Sequence, residues 1–304
     1  MNKKILFFGL LAIIFAIGGC KSKVENEETA NTTELAAATE EISIENASDS
    51  VANVELPDST ELTNDTENEP YEKQIADTVI GGVKFKRYYF DIRTDDIADN
   101  TLLIVPTSGN ADANKKIIKR LVDDFSFDAD SLQQQLEEIF DTYASGEYAE
   151  YGDEYHESES IVYPINVTGK KYVSYLLHSS LFWPGEQNHP QWADVYYMFD
   201  LDSGEQIYQN DIFDNSQESR QAVGNKLHEE LVKFAGNEED IFVEAGSELL
   251  NGNFVFDDKG LTYFYQPYEV GPYMLGEPEV FIPKEWIKPY LKTDGVLYEY
   301  WFRK

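Results

Sequence analysis

KYVSYLLHSSLF (residues 171–182) and WADVYYMFDL (residues 192–201) decide the fold. Both stretches are dense in β-branched and aromatic residues, which favour a pleated, half-buried strand. They are long enough and close enough to predict an antiparallel pair. Asp202-Ser203-Gly204 then offers a tight turn into residues 206–208, because Asp, Ser and Gly each lower the cost of reversing the chain. Just upstream, Ile161, Tyr163, Ile165 and Val167 alternate with other residues, and Thr168-Gly169-Lys170 turns the chain into the first stretch. Three strands in succession are therefore expected here.

Working outward, residues 79–90 and 101–105 read as two further strands. Residues 111–125 place Ile117, Ile118, Leu121, Val122 and Phe125 at helical spacing. Asp130 or Ser131 can cap a second helix that aligns Leu132, Leu136, Ile139, Phe140 and Tyr143. Residues 147–159 are a polar connection. A third helix is predicted over 216–234, with Val223, Leu227, Leu231 and Phe234 aligned and Gly236 as its stop. Residues 253–256 and 261–266 flank the turn Asp257-Asp258-Lys259-Gly260 and form a hairpin. Residues 279–282 are a strand, Pro283 opens a short helix through Trp286, Ile287 and Leu291, and 296–302 (VLYEYWF) reads as a last strand. Runs of strands interrupted by three to four packed helices predict an α+β fold with mainly antiparallel sheets. The folded part, residues 79–304, is expected as two packed subdomains, 79–167 and 168–304.

The chain begins differently. Lys3 and Lys4 precede an apolar run from Ile5 to Ile17, followed by Gly18-Gly19-Cys20. A positive start, a short apolar core and small residues at a cut site predict a secretory signal over residues 1–19. Thirteen apolar residues fall short of the roughly 20 a membrane-spanning helix needs. Cys20 is the single cysteine, so a disulfide framework, a thiolate metal site and a cysteine nucleophile are not expected. Its place after two glycines resembles the bacterial lipoprotein box, which implies lipidation of Cys20 (palmitate among the acyl chains) and a membrane tether through it. Residues 20–78 are rich in Glu, Asn, Thr, Ala and Ser, with Tyr71 the lone aromatic. That composition predicts an acidic, disordered stalk spanning roughly 40 Å. Lys21 lacks the aspartate that retains many lipoproteins in inner membranes, which points to the outer membrane. The expected location is the cell envelope, outside the cytoplasm.

Net charge is −33, of which residues 79–304 carry −22. A domain this acidic excludes nucleic acid as a charge-driven partner and attracts basic proteins or cations.

Several landmarks resemble a known family. Tyr172-Val173-Ser174-Tyr175, Tyr197-Met198-Phe199-Asp200-Leu201-Asp202-Ser203-Gly204 and Asp211-Ile212-Phe213 are similar to successive landmarks of the domain of unknown function 3298. Leu261 to Gly276, with Tyr268-Glu269-Val270-Gly271-Pro272-Tyr273 at its centre and Val280-Phe281-Ile282-Pro283 after it, resembles that family's closing segment. The resemblance covers residues 79–291, its first part being similar to the companion domain that precedes the family. It implies an extracytoplasmic, membrane-tethered module. One relative is the extracellular part of the RsiV-type anti-sigma factor, which binds lysozyme; others adjoin a polysaccharide deacetylase domain. Neither the cytoplasmic anti-sigma segment nor the deacetylase domain is expected in this chain. Of the Gly-Gly-Ala-His-like loop of many relatives, Gly185 and His189 remain between Trp183 and Pro190.

No catalytic motif stands out. His156, His178, His189 and His228 show no metal-ligand spacing, so no metal and no cofactor are expected. Residues 200–204 read as a hairpin turn in preference to a calcium loop. Candidate ligand-binding residues are Trp183, His189 and Trp192 around the 183–190 loop, and Tyr265, Glu269 and Tyr273 around the Glu269 turn. Trp and Tyr suit interfaces and sugar stacking because they are apolar in body and polar at the tip; the competing role for those inside strands is core packing. Glu269 either acts chemically or bonds backbone donors of its turn, the commoner fate of a turn carboxylate.

Three functions follow as expectations. The first is a non-catalytic envelope binding module for a basic, lysozyme-like protein or a cell-wall polymer. The second is an envelope carbohydrate or peptidoglycan hydrolase using carboxylates near Glu269. The third is a structural or assembly lipoprotein.

Overall fold

The structure, a computed structural model, describes residues 71–94, 97–122, 127–145, 156–185, 190–214 and 216–303. The signal segment, Cys20, the stalk up to residue 70 and His189 lie outside the described residues.

Six strands form one sheet in sequence order: β1 (Tyr71–Ile80), β2 (Val83–Arg93), β3 (Ile97–Pro106), β4 (His156–Thr168), β5 (Tyr172–Phe182) and β6 (Gln191–Asp200). Neighbours are antiparallel except β3 and β4, which pair in parallel from Ile97 opposite His156 to Leu103 opposite Val162. A parallel pair needs a crossover, and the chain supplies it with two helices, α1 (Ala111–Val122) and α2 (Leu132–Ala144). The β5–β6 pair expected from the sequence is present, with Tyr172 opposite Asp200 and Leu181 opposite Gln191.

Two adjustments concern boundaries. β1 starts at Tyr71, inside the segment expected as stalk. It is an edge strand held by backbone pairing to β2, and its side chains are half-buried or exposed, so it carries no apolar pattern. The expected subdomain border near Val167 falls within β4, which pairs along its whole length with β5. The sheet therefore runs across it.

The cores divide elsewhere. Ile117 and Leu121 of α1, and Leu136 and Phe140 of α2, cover one side of the sheet with Phe90, Leu103, Val173, Tyr175 and Phe199. The Phe90 and Phe140 rings lie 5.5 Å apart. The alternate residues of β5 and β6, Tyr172 and Met198, enter a second core. That core is built by α3 (Gln209–Ile212), α4 (Gln217–Ala235), a small sheet of β7 (Phe254–Phe256), β8 (Gly260–Phe264) and β9 (Glu279–Pro283), and two short helices, α5 (Lys284–Ile287) and α6 (Val296–Phe302). The β5–β6 hairpin is thus the wall shared by both cores, because strand side chains alternate between faces. The architecture is α+β.

Local signals in α4 match its boundaries. Ser216 caps it by accepting from the Ser219 amide at 3.1 Å, and Gly236 ends it at φ 76°. Residues 296–302 are a helix, not the strand their aromatic and β-branched content suggests. Leu297 and Trp301, four apart, are buried in the second core, while Tyr298 and Phe302 touch on another side of the helix.

Tyr175 is fully buried and its hydroxyl has no hydrogen-bond partner among the described residues. An orphaned buried hydroxyl costs about 1–3 kcal/mol. Tyr175→Phe should therefore raise the urea midpoint by about 1 kcal/mol of stability with an unchanged slope; an equal or lower midpoint would refute the reading.

Candidate functional site

β6 is the last strand of its sheet, so the backbone groups on its outer side need partners. Two amide side chains beside the second core supply them. Asn253 accepts from the Tyr196 amide at 2.8 Å and donates to the Asp194 carbonyl at 3.1 Å. Gln266 accepts from the Asp194 amide at 2.9 Å and donates to the same carbonyl. Tyr196 stacks on Phe264 at 3.7 Å, nearly parallel. These contacts clamp the loop after β8, residues 265–278, against the start of β6.

The clamp brings polar groups together. Asp194 is buried and accepts from His178 Nδ1 at 2.5 Å, and Glu159 lies 3.5 Å from His178 Nε2. Burial alone would lower the His178 pKa, but the two carboxylates outweigh it and hold the ring up to about 10. The imidazole is therefore charged at neutral pH, with both N–H groups engaged. Folding raises its pKa, so this stabilisation is complete below the unfolded value of 6.5 and fades as pH rises through about 10. Glu277 accepts from the Trp192 indole N–H. Burial first, and then the Asp194 charge, raise the Glu277 pKa. Burial likewise raises Glu279.

Aromatic rings run outward from this cluster. Trp192 meets Tyr273 edge to face at 5.7 Å, and Tyr273 meets Tyr268 at 5.4 Å. Tyr268 is 61% exposed and holds a left-handed backbone at φ 68°, an uncommon conformation for a tyrosine. Met274, 91% exposed, follows Tyr273 directly. Exposed Phe242 is tied to the loop by its amide, which donates to the Val270 carbonyl at 2.9 Å. The result is an apolar ridge beside a carboxylate-rich base.

The sequence candidates separate as follows. Trp192 and Tyr273 meet in the ridge. Glu269 stands at the turn but is committed locally: Oε1 accepts from Asn251 at 2.9 Å and Oε2 from the Gln266 amide at 2.8 Å. Tyr265 is a correction. It is 1% exposed and its hydroxyl donates to the Leu249 carbonyl at 2.8 Å, so it is a core residue. Trp183 packs on His156 at the start of β4, centroids 6.3 Å apart. Sequence reasoning missed His178, Asp194, Gln266 and Glu277. A signal existed for two of them: His178 and Asp194 are polar residues that stand directly opposite each other in the β5–β6 pair.

Among the described residues, no cluster of three or more His, Cys, Asp or Glu groups is arranged to hold a metal ion, and no helix is long and apolar enough to cross a membrane.

Most of the second core, and the ridge loop, fall within one family match. Residues 210–285 match the family model described as protein of unknown function (DUF3298). The match is narrower than the 79–291 resemblance expected from the sequence; it holds α4, the small sheet and the ridge loop, while Trp192 comes from the sheet before it. Crystal structures similar to this chain include the following two. One is a DUF3298 family member from Bacteroides fragilis NCTC 9343, with TM-score 0.48 and 16% identity, covering 73% of this chain and 93% of its own. The other is a DUF3298 family protein from Pseudomonas aeruginosa PAO1, with TM-score 0.45 and 14% identity, covering 74% and 95% respectively. No curated protein matches the chain.

Proposed function

We propose that this protein is a non-catalytic binding module whose contact surface is the Trp192–Tyr273–Tyr268 ridge, and whose partner is a basic, lysozyme-like protein. The supporting observation is the ridge itself: connected rings and the exposed side chains of Met274 and Phe242, set beside Glu277 and Glu279 in a chain of net charge −33. Aromatic anchors ringed by charge are where binding energy concentrates, and opposite net charges speed encounter. A hydrolytic role finds less support: Glu269 is occupied by its own turn, and Glu277 accepts from the Trp192 indole N–H.

The test is retention of the full chain on immobilised hen lysozyme. At low salt it should be held. Between about 0.05 and 0.5 M salt, screening should weaken binding at least about tenfold. Trp192→Ala should weaken it by roughly 30-fold at low salt, the scale of a central aromatic anchor. Absence of retention at low salt would sink the lysozyme-like partner.

The envelope location rests on the start of the chain. In this reading Cys20 is acylated after removal of residues 1–19 and tethers the domain to a membrane, with residues 21–70 as a spacer. Intact mass of the mature protein should show a chain beginning at Cys20 with added acyl mass; a free thiol there would refute the tether.

A further inference from the structure

A second site opens away from the ridge. Between β6, the 206–210 connection and the 250–252 loop lies a pocket of about 370 Å³, within the range of small-ligand sites. It shares no lining residue with the ridge. None of its twelve lining residues is acidic, although 57 of the 304 residues are.

The one charged group in its wall is Arg220. The residue is half-buried, and its guanidinium has no hydrogen bond or ion pair among the described residues. The other four arginines all hold side-chain partners: Arg87 bonds Gln74, Arg93 bonds Asp91, Arg120 bonds Tyr197 and Arg303 bonds Glu299. In a chain with this excess of carboxylates, an arginine that pairs with none of them among the described residues is available to an external anion. A partly buried guanidinium is costly unless paired, and its planar fork matches a carboxylate. The remaining wall mixes aromatic, amide and aliphatic groups: Tyr196 and Tyr208 give ring surface with buried Phe254 behind them, Asn210 gives a donor and an acceptor for hydroxyls, and Gln206, whose Oε1 accepts from Arg120, gives a donor.

We infer that this pocket binds a sugar unit bearing one carboxylate, with Arg220 pairing the carboxylate and the aromatic wall covering the sugar ring. Aromatic faces and amides suit a sugar; an unpaired guanidinium in a wall free of acids selects the acidic kind.

The test is calorimetric or NMR titration of the full chain with D-glucuronate and with glucose, its neutral counterpart. Glucuronate should bind at least about tenfold tighter than glucose. Raising the salt should weaken glucuronate and leave glucose unchanged. Arg220→Gln should bring glucuronate to the level of glucose, and Arg220→Lys, which keeps the charge but loses the fork, should fall between. Equal affinities for the two sugars in the unaltered protein, or no binding of either, would overturn the assignment without reference to any variant.

Discussion

Replacing Gly224 by alanine should destabilise the protein by about 3 kcal/mol or more, lowering the melting temperature by roughly 6–12 °C. In an ordinary helix interior the same change is favourable by up to about 1 kcal/mol, because glycine gives up more backbone freedom than alanine. Here the helix has no room. Gly224 lies inside α4 on the buried stripe with Val223 and Leu227, and the 246–249 segment crosses directly over it. A Cβ at Gly224 would stand 1.9 Å from the Gly246 carbonyl oxygen and 2.4 Å from its carbon. Backbone cannot swing aside as a flexible side chain can, so α4 and the 246–249 turn must separate. Leu249, whose carbonyl holds Tyr265, would move with them. Thermal unfolding of Gly224→Ala beside the unaltered chain decides the matter: a neutral or raised melting temperature would mean that α4 does not pack this closely.

Asp99→Asn should stabilise the protein by about 2–3 kcal/mol at pH 7 and by almost nothing near pH 4. Asp99 is 5% exposed, on the helix-covered side of β3, in a small cavity lined by Phe90, Ile92, Leu136 and Phe140. Ser158 donates to it at 2.8 Å. Burial raises its pKa from 3.8 to about 6, partly opposed by the Ser158 bond and reinforced by Asp91. The folded state therefore holds this proton more tightly than the unfolded state. Stability falls as pH rises from 3.8 to about 6, and the full cost persists above that window. At about 1.4 kcal/mol per unit, the shift corresponds to roughly 3 kcal/mol. Asparagine keeps the acceptor for Ser158 and cannot ionise, so its advantage should grow with pH across the same window. Urea titrations of both proteins at pH 4, 5, 6 and 7 give the test, and an advantage independent of pH would contradict it. Glu277 and Glu279 titrate in the same direction, but they are common to both proteins and cancel in the difference.

Much of the fold is legible in the sequence where one face of an element is buried. The β5–β6 pair, the α4 stripe with its Ser216 and Gly236 caps, and the 254–264 hairpin all carry period and punctuation. β1 does not, because an edge strand with few buried side chains is specified by backbone pairing to β2. The 296–302 segment misleads because seven residues span two helical turns, too few for period to outweigh aromatic content. The parallel β3–β4 register depends on a crossover of two helices, which residue pattern does not encode.

The site was partly legible. Loop aromatics and the Tyr268–Tyr273 turn were visible, but Trp192 joins Tyr273 across 81 positions, through a clamp made by Gln266 and Asn253. Tyr265 and Tyr268 are both tyrosines of one loop, and burial alone separates their roles. Arg220 gives no sequence signal, since what distinguishes it is that its guanidinium has no side-chain partner among the described residues.

Hydrogen exchange of the full chain with and without hen lysozyme at low salt tests the central claim most directly. Slowed exchange confined to residues 191–194 and 266–279 is the predicted result. Protection centred on β1 to β3, or no protection anywhere, would contradict the assignment of the ridge as the contact surface.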